Sequence, residues 1–129
     1  MSIPTTEALV ASIFLTASSF ELSSSYVPLS KLHPGYYACR SGLDFSTFTF
    51  SFDVASDGSY QLRGDQGGGV VTILPENGTM EFKSGPFASD DTVKTAARNT
   101  TRVSDGNSVI IIRYDFGNVI TDDYCALVK

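Results

Sequence analysis

The chain has 129 residues and a mass of 13.8 kDa, room for one compact domain. Hydrophobic residues make up 42% and charged residues 18%, enough apolar side chain to bury a core, which sets aside the disordered and low-complexity classes. Fourteen acidic against nine basic side chains leave a net charge of -5, which repels a nucleic-acid backbone or an anionic membrane at long range, and no apolar run reaches the roughly 18 to 20 residues that span a bilayer.

The first segment admits three readings. Ala8 to Ala17 is an apolar stretch of the length of a signal-peptide core, with Ala17-Ser18-Ser19 as a cleavage pattern, although no Lys or Arg precedes it and Glu7 stands against it. At helical spacing Leu9, Ile13, Ala17 and Phe20 share one side, and Pro4 and Thr5 suit a helix start. The β-branched and aromatic content equally allows an extended segment lent to a neighbouring subunit. Leu9, Ile13, Phe14 and Phe20 are the candidate partner-docking residues. Residues 18–34 read as a polar connector with scattered apolar anchors that ends at Pro34-Gly35, so 1–34 form a docking segment and connector, and 35–129 a β domain.

From Gly35 onward the pattern is β. Phe48, Phe50, Phe52 and Val54 alternate with Thr49, Ser51 and Asp53, which places the large apolar groups on one face. Asp57-Gly58-Ser59 makes a turn and Tyr60 to Arg63 returns, a hairpin over 45–63. Gly64 to Gly69 breaks the chain as a flexible turn before Val70 to Leu74. The Asn77-Gly78 turn leads to a strand over Thr79 to Lys83, ended by Ser84-Gly85-Pro86. Val93 to Val103 is ambiguous between a helical turn and a strand, and its threonines favour the strand. Val109 to Tyr114 and Val119 to Leu127 complete the series. Six to eight short strands without a crossover helix predict an all-β fold, a small antiparallel up-and-down barrel or a sandwich, preceded by a helical or extended tail. Cys39 lies in the first β segment and Cys125 in the last, 86 positions apart, segments that an up-and-down barrel sets side by side. A disulfide there would lock the seam; two buried reduced thiols in a cytosolic protein is the alternative.

The inventory of reactive groups is short. The single histidine, His33, reads as a solvated loop residue, and neither a Gly-x-Ser-x-Gly elbow nor a phosphate-binding glycine loop occurs. Asp90-Asp91 and Asp122-Asp123 lack the spacing of a calcium loop and read as solvated turn charges, since adjacent acids on a strand point to opposite faces. No catalytic set, metal site or cofactor is expected. Asn77-Gly78-Thr79 and Asn99-Thr100-Thr101 match the glycosylation sequon. Nine Phe and six Tyr stand out in a domain without Trp. They either pack the core of a small barrel or line a cup for a small apolar ligand, with Tyr37, Phe48, Phe50, Phe52 and Tyr60 as the candidate ligand-binding residues.

Gly35-Tyr36-Tyr37-Ala38-Cys39, Asp57-Gly58-Ser59-Tyr60, Met80 to Phe87 and Tyr124-Cys125 together resemble, over residues 35–128, a loose group of small and often secreted bacterial β domains of unassigned function. The plan is also similar to the lipocalin barrel, whose first strand opens on Gly-x-Trp; Tyr37 stands at that position. The resemblance implies a disulfide-closed barrel or sandwich and export, and it supplies no catalytic residue. These readings point to a non-enzymatic binding or assembly domain whose N-terminal segment docks on a protein partner or a neighbouring copy. The alternative is a lipocalin-like carrier of a small apolar ligand.

Overall fold

The computed structural model describes residues 22–41, 47–74 and 77–129. Nine strands and no helix occur among these residues: β1 (Tyr26–Pro28), β2 (Gly35–Ser41), β3 (Thr47–Val54), β4 (Ser59–Leu62), β5 (Gly68–Leu74), β6 (Thr79–Phe82), β7 (Lys94–Arg102), β8 (Ser108–Asp115) and β9 (Ile120–Leu127). Each strand from β2 to β9 pairs antiparallel with the next, and β9 returns to pair with β2. The result is a closed eight-stranded up-and-down barrel, which leaves no free edge between its first and last strands. The tail expected over residues 7–20, with Leu9, Ile13, Phe14 and Phe20, lies outside the described residues.

Closure explains the alternation in the sequence. Tyr37, Cys39, Phe52, Val54, Tyr60, Leu62, Val71, Met80, Phe82, Ile110, Ile112 and Cys125 point inward and form one cluster with Phe87, which comes from the loop after β6. Where β9 meets β2, Cys125 stands directly opposite Cys39 in the register and the two form a disulfide. The outer surface carries ion pairs, such as Asp53 on β3 with Arg63 just past β4, whose guanidinium also lies 3.8 Å from the centre of the Tyr36 ring.

The connector before β2 is more ordered than its polar composition suggests. β6 has four residues and pairs with β7 only through Thr79 and Met80, which leaves the far part of that β7 edge open. Backbone groups on such an edge need partners, and β1 supplies them, with Tyr26, Val27 and Pro28 opposite Arg102, Thr101 and Thr100. Pro28, which has no N–H to give, stands at the end of the strand. β1 and Leu22 also cover an apolar strip on the outside of the barrel, because β8 buries Val109 and Ile111 on its outer face as well as Ile110 and Ile112 on its inner one. The Tyr26 and Tyr124 rings meet over this strip, 5.3 Å apart.

Replacing both cysteines by alanine frees the seam from its 86-residue cross-link. Loop-closure entropy predicts a loss of about 4 to 5 kcal/mol as an upper value, read from urea unfolding with the fold retained. A change below about 1 kcal/mol would show that the β2–β9 ladder closes the barrel without help from the bridge.

Candidate functional site at the open end of the barrel

The two ends of the barrel differ. At one end residues 29–34 cross the opening and are tied down from within. The fully buried Asn99 gives both amide hydrogens to the carbonyls of Leu29 and Lys31, at 3.0 and 2.9 Å. His33 is half buried rather than solvated, its Nδ1 2.6 Å from the Ser108 hydroxyl, and its carbonyl accepts a hydrogen bond from Tyr37. Burial pushes the Tyr37 hydroxyl up to about pKa 12, so it stays a donor at all ordinary pH values. With Ser108 buried, the His33–Ser108 pair latches the strap over the barrel floor.

The other end opens into a cavity of about 930 Å3, within the range of small-molecule sites. Its floor is apolar, made by Phe50, Leu62 and Phe87. Phe87 is held there by a close backbone crossing: a Cβ on Gly69 would stand 2.1 Å from the Ser84 carbonyl oxygen, so only glycine lets the loop after β6 lie against β5. Tyr60 fastens that loop, donating to the Ser84 carbonyl at 2.7 Å and accepting from the Phe87 N–H at 3.0 Å. The Phe87 ring then sits 5.0 to 5.3 Å from Phe50, Phe52, Tyr60 and Phe82 and divides the filled half of the barrel from the open one. The glycine run therefore does more than turn the chain, since Gly68 and Gly69 belong to β5.

A β-bulge sets the polar wall. Cys39 pairs with Phe50 but Arg40 pairs with Phe48, so Thr49 is the extra residue of β3 and the alternation reverses there. Phe48 is turned outward, 52% exposed, with the Arg40 guanidinium 5.8 Å from its ring centre. Thr49 takes the inward place, its hydroxyl 3.3 Å from both the Cys39 carbonyl and the Asp123 carboxylate. One hydroxyl hydrogen cannot serve both acceptors fully.

Asp123 is the unexpected member of the site. It lies two residues before Cys125 on β9 and so shares its inward face, while Asp122 points outward to a two-pronged ion pair with Arg113 at 2.8 and 3.0 Å. The expectation that both acids are solvated turn charges fails for Asp123, which is only 6% exposed. Among the described residues no cation pairs with it. Burial, with a smaller contribution from the charge on Asp122, pushes its pKa above the ordinary carboxylate value. Beside it the buried Tyr114 hydroxyl lies against the Asp123 carboxylate, and desolvation, reinforced by the Asp123 charge and by that contact, pushes its pKa up.

Of the candidate ligand-binding residues, only Phe50 lines the cavity. Tyr37, Phe52 and Tyr60 are sealed in the packed core, and Phe48 is on the outer wall. Thr49, Phe87, Tyr114 and Asp123 were not anticipated as site residues. Counting back in twos from Cys125 along β9 points to Asp123; no pattern in the sequence announces the bulge. Of the two sequons, Asn99 is sealed inside the barrel and Asn77 is on an exposed turn. Among the described residues no group of three acidic, cysteine or histidine side chains could hold a metal ion. In comparisons with known proteins, no family model, curated protein or solved structure matches the chain.

A carboxyl whose pKa is raised by folding binds more protons in the folded than in the unfolded state, so its contribution to stability falls as pH rises past the unfolded value of about 4. Asp123→Asn removes that penalty. The variant is expected to melt higher than the parent at pH 7, with the difference shrinking toward pH 3; a difference that does not change with pH would contradict the assignment.

Proposed function

We propose that this chain is a non-enzymatic binding domain whose recognition site is the open mouth of the barrel, with a small, largely apolar molecule as its ligand. The observation that carries this reading is the cavity of about 930 Å3 over a floor of Phe50, Leu62 and Phe87. Burial of an apolar body there contributes about 25 cal/mol per Å2 removed from water, and the preformed aromatic floor limits the ordering cost of binding. The bridged Cys39–Cys125 pair fits an exported domain in an oxidising compartment.

A second reading, assembly through the N-terminal segment, is favoured by the outer wall. Tyr26, Val109, Tyr124, Ala126 and Val128 line a groove of about 350 Å3 there, and the described chain starts beside it at Leu22. Residues 1–21 would then dock the barrel on a protein partner or a second copy, since residues 22–34 are already packed on the barrel. Removal of residues 1–21 separates the two readings, since an assembly segment takes the oligomer with it and a ligand cup does not need it.

The neutral apolar dye N-phenyl-1-naphthylamine is expected to bind the full chain saturably at one site. Thr49→Trp, which fills the mouth from the bulge, should weaken it at least tenfold without lowering the melting temperature. Dye binding that Thr49→Trp leaves unchanged would remove the mouth as the site.

A further inference from the structure

Resting on the reading of the mouth as a ligand site, we propose that Asp123 selects a cationic ligand there, an amine whose ammonium head meets the carboxylate while its apolar body lies on Phe50, Leu62 and Phe87. Asp123 lacks a counter-charge among the described residues. A carboxylate has about four lone-pair positions, and a buried one is normally satisfied by a cation or by several donors. Asp123 is 6% exposed, is met only by neutral hydroxyls, that of Thr49 at 3.3 Å and that of Tyr114, and has no cationic partner among the described residues. The chain supplies a cation to the neighbouring carboxylate on the outer face, where Arg113 grips Asp122 in two-pronged geometry. On the inner face the equivalent charge is left facing the cavity.

The surroundings of Asp123 suit an ammonium group better than the other small polar heads. Phe50, Phe87, Tyr114 and Phe116 all border the cavity, and their ring faces attract a cation. The Tyr114 hydroxyl has an open acceptor position that a second N–H of the head can use. The net charge of -5 draws a cation toward the protein and disfavours a fatty acid. A carboxylate ligand would bring a second negative charge beside Asp123 with no base to offset it. A neutral alcohol would supply one hydrogen bond and leave the buried charge unpaired. An ammonium head gives up to three donors and the missing charge together.

The test compares three probes of equal chain length, decylamine, decanol and decanoate, each below its aggregation concentration, by displacement of N-phenyl-1-naphthylamine from the full chain at pH 7. Charge-assisted hydrogen bonds predict that decylamine binds at least tenfold more tightly than decanol, and decanoate least. Asp123→Asn should lower the decylamine affinity at least tenfold and leave decanol within about twofold, with folding checked by its melting curve. Equal affinity for decylamine and decanol, or tighter binding of decanoate, overturns the cationic preference while leaving the cup in place. That comparison on the parent protein needs no variant. Failure of all three probes and of the dye overturns the reading of the mouth itself, and the inference with it.

Discussion

The seam between β2 and β9, where Cys39 faces Cys125 in register, decides which way the side chains of the barrel point. A strand has a side-chain period of two, so one closed ladder propagates its inward and outward assignment through every neighbour it pairs with. From that seam the inward set runs to Tyr37, Phe52, Tyr60, Phe82 and Ile112, and the same rule brings Asp123 inside because it stands two positions from Cys125. A slip of one residue at the seam would carry Asp123 to solvent and Asp122, with its Arg113 pairing, into the core. The disulfide excludes that slip covalently. The buried carboxyl is thus a consequence of closure, and it costs the fold stability as pH rises past the ordinary carboxylate range.

Function concentrates where the regular pattern is broken. The bulge at Thr49 interrupts the aromatic stripe of β3 just before it reaches the mouth, replacing an inward phenylalanine with a hydroxyl aimed at Asp123. Without it the next inward position of β3 would carry Phe48 toward the space that the cavity now occupies. The loop carrying Phe87 is the second break, placed by the Gly69 crossing and by the Tyr60 hydroxyl. Phe87 closes the core from above and at the same time forms the floor of the cup. Packing and site therefore share a residue, and the depth of the mouth is set by the same contacts that stabilise the aromatic cluster.

Much of this was legible in the residues because period-two alternation and turn chemistry are local. The strand of Phe50 and Phe52, the return through Tyr60, the Asn77-Gly78 turn and the pairing of Cys39 with Cys125 all follow from short windows or from a simple topology. The strand β1 was hidden, since Tyr26–Pro28 pairs because β6 is short, a fact about a distant element. His33 looked solvated because its partner Ser108 is 75 positions away. The stripe of candidate ligand residues failed in its particulars for the same reason: whether an aromatic packs the core or lines a cup depends on how far along the barrel Phe87 closes it. Asp123 lay within reach of the alternation rule and was missed because paired acids near a turn usually stay in water.

The most direct measurement is a carbon-13 titration of the Asp123 carboxyl, made on the free protein and again with saturating decylamine. An open cup holding a carboxylate without a cationic partner predicts a midpoint above the ordinary aspartate value in the free protein, and a fall below that value once an ammonium head is seated against it. A midpoint that is ordinary in the free protein, or one that decylamine does not move, would contradict the account.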